Sequence, residues 1–140
     1  MNKSILNFKH SGTISFWEIQ NDKNYPQWNL ACDDLGRNSL IDLLTLMRLD
    51  DWSSKTIRSN CSPLTLNQTW LSNFKGIRSY DSLKINSIKE DQLKSKIRGS
   101  ENTITLTLNA DTLLQLMEHL KNKSFDVVMT LDDFSELGFW

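Results

Sequence analysis

Apolar positions along the chain change their spacing from two to nearly four and back again. Thr13–Gln20 (TISFWEIQ) is rich in β-branched and aromatic residues and predicts a first strand. Asn21–Asn29 has turn chemistry, with Pro26 biasing Tyr25 toward an extended backbone. Asp33 and Asp34 are good helix N-caps, and beyond them Leu40, Leu43, Leu44 and Met47 recur at i, i+3, i+4 and i+7. Ile41, Leu46 and Leu49 widen that stripe, so the run GRNSLIDLLTLMRLDDW predicts a helix buried on most sides, central to the fold.

The pattern is weakest over Ser53–Leu66. Lys55–Arg58 fits a short strand, and Pro63 interrupts any regular element. Asn67–Phe74 predicts a helical turn carrying Trp70, Leu71 and Phe74. Tyr80–Ile88 and Gln92–Ile97 predict two strands around a turn, although Lys89–Lys96 fits a helix almost as well. Thr103–Leu108 alternates Ile104, Leu106 and Leu108 against three threonines, the clearest strand in the chain. Asn109 or Asp111 caps a second helix over Ala110–Lys121, with the stripe Leu113, Leu116, Met117 and Leu120. Phe125–Leu131 predicts a strand with Phe125, Val127, Met129 and Leu131 inward, and FSELGFW a last short strand or plug. The order β-α-β(β)β-α-β predicts an α+β fold. It is an antiparallel or mixed β-sheet with two main helices packed on one face, in a single domain over residues 1–140.

A chain of 140 residues is long enough to bury about 70% of its unfolded surface, so a core needs no disulfide or metal. No apolar run approaches the roughly 20 residues of a membrane span, and the first residues lack the apolar stretch of a signal peptide. The expected location is the cytoplasm. Cys32 and Cys61 form no Cys-x-x-Cys pair; they read as free thiols, with a bridge left open if their Cα atoms lie within about 7 Å.

Candidate chemistry is sparse. His10 and His119 stand alone, no His-Glu-x-x-His or Cys/His cluster occurs, and five glycines are scattered singly. Cys32 or Cys61 with His119 has the chemistry of a nucleophile and base, but no surrounding motif activates either pair. No catalytic residue, metal or cofactor is therefore expected.

Charge is more informative than motif. Residues 75–98 hold seven basic groups against three acidic ones, a net of +4. Residues 31–52 carry a net of −3, and residues 125–140 hold four carboxylates and no base. Brought together, the two acidic segments make a negative patch edged by Trp52, Phe134, Phe139 and Trp140, suited to a basic partner. The residues expected to bind that partner are Asp33, Asp34, Asp50, Asp51, Trp52, Asp132, Asp133 and Glu136. The basic 75–98 segment carries the alternative, nucleic-acid association. The overall charge of −1 and the absence of a recognition motif make a solvated strand surface the expectation there.

In layout the block WNLACDDLGRNSLIDLLTLMRLDDWSSKTI, the block LTLNADTLLQLMEHLKNKSFDVVM and the terminal ELGFW resemble small bacterial immunity proteins of contact-dependent inhibition and other polymorphic toxin systems. The resemblance implies a non-enzymatic protein that binds and neutralises one cognate toxin domain in the cytoplasm. A toxin with a basic, nuclease-like cleft is the partner it implies, and an acidic face is what would meet it.

Overall fold

Asp33 starts the central helix as the sequence predicts: its carboxylate accepts the Gly36 N–H at 2.7 Å and the Thr13 N–H at 2.9 Å. In the computed structural model, residues 2–20, 24–59, 76–90 and 92–140 are described. A short helix α1 (Lys3–Leu6) leads into β1 (Ile14–Ile19), β2 (Trp28–Cys32), α2 (Asp34–Met47), β3 (Trp52–Arg58), β4 (Ile77–Ser79) and β5 (Ser82–Ile88). Then follow β6 (Lys96–Ser100), β7 (Thr103–Leu108), α3 (Ala110–Lys121), β8 (Val127–Thr130) and β9 (Glu136–Phe139). The class is α+β.

The strands sort into two sheets, where the sequence pattern pointed to one. The first has the order β4-β1-β2-β9-β8, the second β3-β5-β7-β6. Both are mixed: β2 pairs with β9 and β5 with β7 in parallel, while the remaining neighbours are antiparallel. Helices α2 and α3 pack on each other. Both meet the second sheet, α2 through β3 and α3 through β5 and β7, and α2 also touches β2.

One core joins these layers. Leu40, Leu43, Leu44 and Met47 of α2 and Leu113, Leu116, Met117 and Leu120 of α3 are buried, the two stripes read from the sequence. They meet Phe16, Trp28 and Leu30 from the first sheet and Leu83, Ile85, Ile104 and Leu106 from the second. Each such side chain contributes roughly 1.5–3 kcal/mol by leaving water. A smaller cluster of Trp17, Ile19 and Ala31 lies on the other face of the first sheet, with Trp140 packed against it.

The second sheet is one-sided. Leu83 and Ile85 of β5 and Ile104 and Leu106 of β7 point to the core, and the alternate residues point away from it. In the strand register the outward row across its middle runs Thr56, Lys84, Thr105, Arg98. The next row toward one end finishes on Lys96, and the following row begins with Trp52 beside Ile88.

Several expectations change. Trp28–Cys32 is a strand, although its first two residues fell in the expected turn, and α2 stops at Met47 before reaching Trp52. The strand expected at Gln92–Ile97 begins only at Lys96; the described residues before it from Lys89 form neither that strand nor the alternative helix, and the Leu93 N–H donates to the Glu90 carbonyl in a turn. Phe125 was expected inward, but it precedes β8 and is exposed, and Val127 lies at the border of exposure; only Met129 and Leu131 reach the core. The expected helical turn at 67–74, with Cys61, Pro63, Lys75 and Asp91, lies outside the described residues.

Candidate functional site

The acidic residues singled out in the sequence are dispersed by α2. Asp33 and Asp34 stand at its start and Asp50 and Asp51 beyond its end, and a helix of 14 residues is about 21 Å long. Asp51 and Asp132 lie at the same end of the second sheet but beside opposite edges: the Asp51 carbonyl accepts the Lys89 N–H after β5, whereas Asp132 accepts the Ser95 N–H before β6. Three strand spacings separate those edges, about 14 Å.

Most of these carboxylates hold the fold. Asp33 is the N-cap already described, and those backbone hydrogen bonds, that to Thr13 above all, set its carboxyl below the ordinary range. Asp34 pairs with Arg37 at 2.7 Å on the surface. Asp50 accepts the Asn2 N–H at 3.0 Å, tying α1 down. Asp132 accepts both the Ser95 N–H and the Asn109 amide at 2.8 Å, fixing the residue that caps α3. Asp133 accepts the Ser135 N–H at 3.0 Å inside the β8–β9 turn. Among the described residues the side chains of Asp51 and Glu136 make no such bond. Trp52 is 55% exposed at the outer corner of the second sheet, away from the other aromatics of the expected patch.

What the structure does bring together is Asp132, Asp133 and Glu136, on the β8–β9 hairpin. β8 is the edge of the first sheet. Leu131 N–H donates to the Ser135 carbonyl, so in this register the odd positions of β8 bond to β9. The N–H and C=O of Val128 and Thr130 therefore face outward, where no described strand pairs with them. Apolar side chains crowd this edge: Phe125 is 66% exposed, Val128 48% and Phe134 86%. Phe134 has φ +66°, a left-handed conformation that bulky L-residues seldom adopt, and Asp126 has φ +56°, which a short carboxylate side chain tolerates better. The hairpin thus holds a large aromatic in water on strained backbone at its turn, beside Asp132, Asp133 and Glu136, with Asp126 at its other end opposite Phe139. Basic residues near it are Lys123, which lines a cavity with Phe125, and Arg98 of β6, which lines another with Asp133 and Ser135.

No known protein family, curated protein or solved structure matches the chain. The residues themselves carry whatever can be said of its chemistry.

Two cavities bear on that chemistry. One, of about 130 Å³, is lined by Cys32, Arg37, His119, Lys123, Phe125 and Trp140 among others, so it gathers the thiol and imidazole considered from sequence. Burial pushes the Cys32 thiol up to about 12, the reverse of what a thiolate nucleophile requires. His119 shares a hydrogen bond of 3.0 Å with Ser124 and stacks on Phe139 at 4.8 Å between ring centres, a packed boundary residue. Phe139, expected to edge the acidic patch, is buried in this contact.

The other cavity, about 370 Å³, lies where β1, β2, β4 and β6 meet. Glu18, buried near the end of β1, accepts hydrogen bonds from Tyr80 Oη at 2.9 Å and Gln27 Nε2 at 2.6 Å. Burial, reinforced by the bond to Glu18, raises the Tyr80 hydroxyl to about 12. The Arg78 guanidinium lies 4.9 Å over the Tyr80 ring and donates to the Glu101 carbonyl. This group escaped the sequence reading, although a carboxylate inside the apolar run ISFWEI was its signal. Among the described residues no group of three or more His, Cys, Asp or Glu is placed to hold a metal ion, and no helix is long and apolar enough to cross a membrane.

Proposed function

We propose that the protein is a non-enzymatic binding module of the immunity-protein type, which captures a basic segment of a cognate toxin domain in the bacterial cytoplasm along the β8–β9 hairpin. The observation that carries this reading is the open β8 edge itself. It combines outward backbone groups at Val128 and Thr130, exposed Phe125, Val128 and Phe134, and four carboxylates. An unpaired strand edge with alternating apolar pockets is a template for strand addition by an extended partner segment. Carboxylates around it select a basic partner and oppose the pairing of two copies of this edge, since like charges would then face each other. The energy resides in the aromatic and aliphatic contacts and the specificity in the charged rim.

This narrows the eight residues expected from sequence. Asp132, Asp133 and Glu136 border the proposed interface, with Asp126 added. Asp33, Asp34, Asp50, Asp51 and Trp52 lie at other places in the fold. The test is binding of the toxin domain encoded beside this gene, measured by calorimetry against Val128→Lys and against the pair Asp126→Lys and Glu136→Lys. None of these side chains supports the core. Tenfold or greater loss of affinity at unchanged melting temperature is expected for each. Wild-type affinity in both would overturn the reading.

A further inference from the structure

We propose that the outer face of the second sheet binds single-stranded nucleic acid, a surface distinct from the β8–β9 hairpin. Every outward position of that sheet is neutral or basic. Lys84 and Arg98 share the central row, separated by β7, about 10 Å apart by strand spacing. Lys96 lies two residues from Arg98 along β6, about 7 Å away, and Arg58 stands at the far end of β3 opposite Ser82. These four cations come from three strands: Lys84, Lys96 and Arg98 belong to the basic 75–98 segment, and β3 brings Arg58 onto the same face. None of them makes an ion pair among the described residues, where Arg37 with Asp34 is the only bridge.

The groups between the cations suit phosphate as well. Thr105 lies between Lys84 and Arg98, and Asn86 shares the next row with Lys96, where Thr107 is buried. Hydroxyl and amide donors alternating with guanidinium and ammonium groups are the usual partners of phosphate and sugar oxygens. Trp52, 55% exposed, closes one end of the face beside Ile88, and its indole is the kind of platform on which an unstacked base rests. Among the described residues, carboxylates flank the strand ends, Asp81 and Glu101 at one side and Asp51, Glu90 and Asp132 at the other, and Asp133 shares a cavity with Arg98 at the β6 edge, so an anionic backbone is directed to the middle rows. Among the described residues this face is built of strands alone, with no helix to enter a duplex groove, so a flexible single strand is the form that can lie along it. An acidic peptide would satisfy the cations but would leave Trp52 without a role.

The experiment is fluorescence anisotropy of a labelled 15-nucleotide single strand titrated with the full chain between 20 and 200 mM salt. Four phosphate contacts predict a log–log salt slope of about −3, at roughly 0.7 per contact. Lys84→Gln with Arg98→Gln should weaken binding at least tenfold and halve the slope. Arg58→Gln with Lys96→Gln should do the same, a second variant should the first fail to fold. Trp52→Ala should weaken binding and leave the slope unchanged, whereas Val128→Lys should bind as wild type, separating this face from the hairpin. No anisotropy change at 20 mM salt, tighter binding of a duplex of equal length, or equal competition by polyglutamate with no Trp52 effect would each overturn the proposal.

Discussion

Tyr80 donates its hydroxyl hydrogen to Glu18 across 62 positions of sequence, and the 2.9 Å bond joins the strand β1 to the connection between the two sheets. Tyr80→Phe leaves a buried carboxylate short of a donor with only Gln27 in close support. A loss of about 1.5–3 kcal/mol is expected, since bonds to a charged group are worth more than neutral ones. Urea unfolding monitored by far-ultraviolet circular dichroism measures it.

The same bond leaves no room at Gly99. A Cβ there would stand 2.4 Å from Tyr80 Oη and 3.1 Å from the Trp28 ring, both on buried side chains. Gly99→Ala should therefore destabilise by about 1–3 kcal/mol, the range for overpacking. If the melting midpoint instead stays at the wild-type value, the pocket wall gives more readily than its packing indicates.

Cys32 and Tyr80 set the response to alkali. Both are raised to about 12 from ordinary values of 9.0 and 10.0, so the folded chain keeps protons that the unfolded chain releases. Stability from these groups is complete below about pH 9 and declines as pH rises toward 12. Cys32→Ser should flatten the part of that decline which begins near pH 9. At the acid side the sign reverses for Asp33: its carboxyl is lowered, so its contribution is present above the ordinary carboxylate range and fades as pH falls through it. Asp33→Ala should cost about 1 kcal/mol at neutral pH, and the gap from wild type should narrow in acid.

Phe134 offers a test in which stability and binding move oppositely. Its φ of +66° costs an L-residue roughly 1–2 kcal/mol, and its ring is 86% exposed, so little packing is lost when it is removed. Phe134→Gly is expected to raise the melting temperature while weakening capture of the partner. A lower melting temperature would show that the ring supports the hairpin.

The leucines that the sequence pattern groups with α2 are not equivalent. Leu44→Ala opens a fully buried site and should cost about 2–5 kcal/mol; Leu49→Ala, at a position 70% exposed beyond the helix, should change stability by less than about 0.5 kcal/mol. Denaturant melts of the two variants compare them directly.

The helices were legible in sequence because each presents one apolar stripe and a polar cap: Leu40, Leu43, Leu44 and Met47 behind Asp33, and Leu113, Leu116, Met117 and Leu120 behind Asn109. Thr103–Leu108 was legible because its sheet has a wet face, which forces alternation. WNLAC was not, because β2 is covered on both faces: Trp28 and Leu30 enter the core, while Ala31 and Asn29 face the smaller cluster. Asn29 looks like a turn residue but spends its amide on the Pro26 carbonyl and the Trp140 indole. The charged residues were legible as a census and not as a site. Carboxylates that cap, bridge and brace look the same in sequence as carboxylates that wait for a partner, and strand order alone decided which cations share a face.

The place of β9 between β2 and β8 governs when this protein can fold. Trp140 reaches Asn29 over 111 positions, and Leu30 waits for Phe139 as its parallel neighbour. On the ribosome the first sheet must stand open, with the edge of β2 bare, until β9 has been made and has emerged. Closure over such a span is entropically slow. Newly made chains therefore pass through an interval with a sticky strand exposed, and expression yield should depend on temperature and chaperone supply more steeply than the stability of the finished fold would suggest.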